Sequence, residues 1–155
     1  MYYIFIENNK INGCGQAKIL NDEVINYEVE EDFYNKYLAN PDMYIWDGLQ
    51  IVKNPNYEEE QAQKERERIA RLNLTGADVE RGIYKAKGMD FNDILTYVTQ
   101  LQPEGLDIKA LGIELKANNF YRGNPYVDAV GSLLGFTSEQ LDKFFETNDY
   151  TNLLA

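Results

Sequence analysis

Cys14 is the one thiol of the chain, set between Gly13 and Gly15, and no histidine occurs anywhere to take a proton from it. A Ser-His-Asp triad, a Cys-His pair and any His-ligated metal are therefore excluded by inventory. Without a second thiol Cys14 can form no internal disulfide and suits a reducing compartment. No cation stands beside it to activate it as a nucleophile. Carboxylates are the remaining candidates. The 26 acidic side chains could supply the acid pair of a glycoside hydrolase, but such a pair needs a cleft, and 155 residues split between two units leave little room for one. Asp90 and Asp93 lack the glycine and terminal glutamate of a calcium loop. No glycine-rich phosphate-cradling loop is present. The expectation is a protein that is not an enzyme, with no catalytic residue, no metal and no cofactor.

The elements that must position these residues fall into three stretches. Residues 1–55 read as a small, strand-rich mixed β unit with one short helix. Residues 2–6 are a continuous apolar run, and Asn12-Gly13 is the strongest hairpin signal behind it. Residues 17–20 and 24–29 read as further strands; in the second, Ile25, Tyr27 and Val29 alternate with Asn26 and Glu28. A helix is predicted over 30–38, stopped at Asn40-Pro41, with a closing hairpin around Asp47-Gly48. Residues 56–73 form a charged connector helix, acidic in its first turn and basic in its last, which suits the helix dipole.

Residues 74–148 are punctuated as a bundle of five short helices near 76–87, 91–101, 108–119, 125–134 and 138–147, and residues 149–155 are expected to fray. The start signals are specific. Thr75, Asp90, Asp107 and Thr137 are each preceded by an apolar residue that can staple onto another four positions into the helix: Leu74 with Val79, Met89 with Ile94, Leu106 with Leu111, Phe136 with Leu141. Asn124-Pro125 is a cap followed by proline at the first helical position. Gly88, Gly123 and Gly135 supply stops at or near the preceding helix ends. None of these helices would persist alone, so they must pack together. The fold class is α+β.

One stretch carries more than folding signals. Phe120-Tyr121-Arg122-Gly123-Asn124-Pro125-Tyr126-Val127-Asp128, followed by Leu134-Gly135-Phe136-Thr137-Ser138-Glu139-Gln140-Leu141-Asp142, resembles a pattern shared by small phage and prophage proteins encoded near tail-fibre and baseplate genes. Residues 74–88 are similar to the helix that opens that module, and Ile45-Trp46-Asp47-Gly48 with Asn54-Pro55-Asn56-Tyr57 to its strand-to-helix junction. The resemblance implies a phage or prophage origin more than an activity. Within it Tyr121, Arg122, Gly123, Asn124 and Pro125 read first as a structural motif, with Arg122 expected to pair with a nearby carboxylate inside the fold, the alternative being that it docks a partner.

Charge narrows the partner. Fifteen basic against 26 acidic side chains give a net charge of −11, spread along the whole chain, so direct nucleic-acid binding is disfavoured. No apolar run is long enough for a membrane span, and residues 1–7 lack the basic start of a secretory signal. What remains is a protein that binds another protein. The most concrete expectation is an inhibitor of the anti-CRISPR kind, filling the basic RNA-binding channel of a host RNA-guided nuclease such as a type VI RNase. Glu28, Glu30, Glu31 and Asp32 would be its contact surface, with Tyr27, Tyr34 and Tyr37 as aromatic anchors. The alternative is a structural or assembly protein of the phage tail region. The first places the chain in the host bacterial cytoplasm, the second in the virion.

Overall fold

In the computed structural model, which describes residues 1–154, the chain starts as a hairpin of β1 (Tyr2–Glu7) and β2 (Lys10–Gly15). The turn is made by Asn8 and Asn9, both at positive φ (51° and 61°). A two-residue turn of this hand matches strand twist, and asparagine tolerates it better than most residues. Asn12-Gly13, expected as the turn, instead lies within β2, where the register slips between Phe5 and Ile6. The adjacent Asn8-Asn9 pair wins because it closes the ladder at Glu7 and Lys10.

A third strand, β3 (Ile25–Val29), pairs antiparallel with the other side of β1, giving the order β2-β1-β3. The strand expected over 17–20 does not form. Its segment is tied down by a side chain: the Asn26 amide accepts from the Ile19 N–H (2.7 Å) and donates to the Ile19 carbonyl (3.0 Å). Helix α1 (Glu31–Ala39) follows, then a 3-10 turn at Pro41–Met43 and the hairpin β4 (Tyr44–Trp46) and β5 (Ile51–Lys53). Asp47 Oδ1 accepts from the amides of Leu49 (2.8 Å) and Gln50 (2.9 Å), fixing that hairpin's turn. The core of this part is Ile4, Ile6, Tyr34 and Tyr37, surrounded by Tyr2, Tyr27, Phe33, Tyr44 and Trp46.

The chain divides into two compact units, residues 1–62 and the residues from Gln63 onward. Helix α2 (Tyr57–Ala70), which buries none of its side chains, runs through the division. The connector is thus shared between the units, and local bonds explain why. In its first turns Tyr57 Oη accepts from Asn40 (2.6 Å) and Glu60 from Asn54 (2.8 Å). In its last turns Arg68 bridges Glu65 and Glu146, both at 2.8 Å.

The second unit holds β6 (Asn73–Thr75), α3 (Gly76–Lys87), α4 (Phe91–Leu101), α5 (Ile108–Glu114), β7 (Asn119–Tyr121), α6 (Pro125–Leu133) and α7 (Ser138–Thr147). Every expected cap is made. Thr75 accepts from the Asp78 amide, Asp107 from Ala110 and Asn124 from Tyr126. Asp90 with Asp93, and Thr137 with Gln140, form reciprocal capping boxes. Gly88 (φ 72°) ends α3 in the left-handed conformation. Gly123 stops no helix; it follows β7, where its amide donates to the Ala70 carbonyl (3.1 Å).

Two expectations fail here. The helix over 108–119 ends at Glu114, because the chain leaves it to pair β7 with β6 in the register Leu74 to Phe120, and Asn118 accepts from the Gly76 amide (2.8 Å). Residues after Asn148 do not fray. Tyr150–Leu153 form a 3-10 turn capped by Asp149, and Leu153, 3% exposed, enters a core with Val79, Ile94, Val98, Leu111, Phe120, Leu141, Phe144 and Phe145. The fold is α+β, and no described helix is long and apolar enough to cross a membrane.

Candidate interaction surface and the Arg122 cluster

The acidic residues singled out in the sequence sit where β3 passes into α1. Glu28 is exposed on β3, Glu30 precedes the first turn of α1, and Glu31 and Asp32 lie in that turn, all exposed. Negative charge there is favoured by the helix dipole, which steadies α1 while leaving the carboxylates in solvent. Glu31 also lies beside the Tyr2 hydroxyl; that bond, with burial, holds the phenol above its usual pKa.

Two of the three expected aromatic anchors are buried rather than on this surface. Tyr34 and Tyr37 are 9% and 7% exposed, because their spacing in α1 places both on the stripe that covers Ile4 and Ile6. The Tyr34 ring packs on Tyr2 at 4.8 Å and Tyr37 on Tyr44 at 6.3 Å. Burial is the main cause that pushes both phenols up, with Cys14 contributing at each. Tyr27 is half-buried, edge-on to Trp46 at 5.4 Å. An aromatic beside acids fits an interface as well as it fits a small aromatic core, so local sequence does not separate the two. On the same strand as Tyr27, Ile25 is 52% exposed, and β3 is an edge of its sheet. The alternation of Ile25, Tyr27 and Val29 with Asn26 and Glu28 is the sequence signal for that strand.

The Tyr121–Pro125 motif is spent inside the second unit. Tyr121 ends β7 with its ring largely exposed. Arg122, 5% exposed, is the buried charged side chain among the described residues. Its Nε donates to Asp142 (2.6 Å), Nη1 to Asp128 (2.9 Å) and Nη2 to the hydroxyl and carbonyl of Ser138 (2.8 and 3.3 Å). These bonds tie β7 to α6 and α7, and they leave the guanidinium satisfied as a buried charge requires. Gly123 lies where a Cβ would come within 2.9 Å of the Ala70 Cβ, so the close approach needs glycine. Asn124 caps α6 and donates to Glu114 (2.9 Å), and Pro125 opens the helix.

The second unit also encloses a cavity of about 50 Å3, lined by Val79, Ile94, Leu111, Val130, Leu141, Phe144 and other apolar side chains, with Glu114 at its margin. It is far below the several hundred Å3 of an ordinary ligand pocket. Asp90 and Asp93 are occupied with each other's backbone amides (2.8 and 3.0 Å). Among the described residues no group of three or more Cys, Asp or Glu side chains is placed to hold a metal ion. Comparison with protein-family models, with curated proteins and with solved structures finds no match to the chain.

Proposed function

We propose that this chain is a non-enzymatic, protein-docking module of phage or prophage origin that serves in the tail region. One observation carries the docking reading. The polar chemistry of the most distinctive motif is consumed within the fold by Arg122, Asp128, Asp142 and Ser138, whereas Glu28, Glu30 and Asp32 stand in solvent without an ion pair among the described residues. Buried, satisfied charge builds structure; exposed, unpaired charge of one sign steers partners. The tail assignment draws on the resemblance of residues 120–142 to proteins encoded beside tail-fibre and baseplate genes.

The test is to induce the prophage, purify particles and quantify the chain by mass spectrometry, in parallel with a deletion strain. The expected result is the protein in particles or tail intermediates, and tails that are missing or defective after deletion. Intact, infective tails after deletion would overturn the tail reading. The second reading, an inhibitor of an RNA-guided nuclease, is favoured by the exposed acidic run itself, which suits a basic channel. It predicts loss of target cleavage at near-stoichiometric protein, and unchanged cleavage at excess protein removes it.

A further inference from the structure

The edge strand β3 has unusual company for an unpaired edge. In the sheet order β2-β1-β3 one side of β3 is bonded to β1, and among the described residues no backbone bond engages Ile25–Val29 from the other side. An edge of this kind offers a row of N–H and C=O groups to any extended chain, and proteins usually blunt it with a bulge, a lysine or a proline. The opposite edge is treated so: β2 carries Lys10 and a register slip, and β4 lies against it. Strand β3 has no bulge, lysine or proline; it carries the charge of Glu28, and the segment around Ile19 is held to its Asn26 side chain rather than to its backbone. It pairs with β1 in unbroken register from Tyr2 with Val29 to Ile6 with Ile25.

We propose that the β3 edge is the docking element, and that it takes an extended, basic segment of a partner protein as a fourth strand of the sheet. The inference rests on the docking reading and supplies its mode. The two faces of β3 define the occupant. Ile25, Tyr27 and Val29 share the face of Ile4 and Ile6, while Asn26 and Glu28 lie on the face of Tyr3 and Phe5. A strand laid beside β3 therefore sets apolar side chains against Ile25, Tyr27 and Val29, where Ile25 is left 52% exposed, and sets its alternate side chains beside Glu28. Residues 22–32 hold six acids and no base, so those alternate positions are lysine or arginine. The same charge argues against a second copy of this chain, which would bring one acidic run against another.

The probe is a short synthetic peptide alternating valine with lysine, titrated into the isotope-labelled full chain by NMR. Two control peptides accompany it: one with alternate backbone amides N-methylated, which keeps the charge and removes the ladder bonds, and one with glutamate for lysine. Saturable shifts at residues 25–29, hydrogen exchange of the β3 amides slowed at least about tenfold, and weakening of about tenfold or more with either control peptide are expected. Glu28→Lys, an exposed position, should weaken binding with the fold intact, and added salt should weaken it further. Equal binding of the N-methylated peptide would reduce the effect to bulk charge and overturn the proposal. So would shifts confined to other residues, the absence of saturable binding, or protection of β3 by self-association without peptide. Failure of the peptide while particles still contain the protein would reject this docking mode and leave the tail reading standing.

Discussion

Arg122 shows how a single distinctive side chain can have every guanidinium nitrogen engaged inside the fold. It is buried at the meeting of β7, α6 and α7, and its two carboxylate partners differ in exposure: Asp142 is 31% exposed at its side chain and Asp128 58%. Breaking a buried pair leaves an uncompensated charge, whereas an exposed partner is replaced by water. Arg122→Ala should therefore destabilise the protein by about 3 kcal/mol and Asp128→Asn by under about 1 kcal/mol, with Asp142→Asn between them, as read by urea unfolding. Gly82 makes a second prediction of this kind. A methyl group there would overlap the Phe144 ring, so Gly82→Ala should cost about 1–3 kcal/mol in the same assay. The pairing of Arg122 was legible from its motif because Asp128 lies six residues away; the burial of Tyr34 and Tyr37 was not. Their helical spacing was visible, but which way the stripe faced depended on β1, whose covering partner no local pattern names.

Among elements, the starts of the helices of the second unit were legible nearly to the residue because each carries its own start signal. A cap and a staple act within one turn, so sequence alone exposes them. Removing one should be felt: Asp90→Ala opens a reciprocal box and should cost about 1 kcal/mol in thermal or urea unfolding. Two elements escaped the sequence for the opposite reason. The β6–β7 pair joins Leu74 to Phe120, and its register is decided by where α5 ends. The C-terminal turn has a thin local signal in Asp149, but its worth lies in Leu153 reaching a core that α3, α4 and α7 assemble. Leu153→Ala should destabilise by about 2–4 kcal/mol, as measured by urea unfolding; an effect near zero would restore the frayed end. The turn at Asn8-Asn9 was misplaced because Asn12-Gly13 is the stronger dipeptide in isolation, while the ladder chose the pair that keeps Ile4 and Ile6 inward.

At the scale of the molecule, acidity governs the response of stability to pH and underlies the proposed docking mode. Several carboxylates are held below their usual pKa: Asp78 by the Thr75 hydroxyl, Asp149 by Thr151, Glu146 and Glu65 by Arg68, Glu139 by Lys143, and Asp47 by the amides of Gln50 and Leu49. A carboxylate whose folded pKa lies below its unfolded one contributes stability above the unfolded value, and that contribution is lost as pH falls through the folded one. Stability should thus decline on acidification below about pH 4.5. Between about pH 6 and 8 it should stay flat, since the chain has no histidine to titrate there; urea midpoints across pH would show both. The proposed docking mode draws on the same charge, since a net −11 chain with an edge strand in its first sheet suits a basic, extended segment. The most direct measurement of the proposed role is calorimetric titration of the full chain against phage tail-fibre and baseplate proteins, repeated with Glu28→Lys. A saturable complex with one of them, weakened by salt and by that substitution, is the predicted result. No complex with any of them, together with turnover of a small molecule by the pure protein, would contradict it.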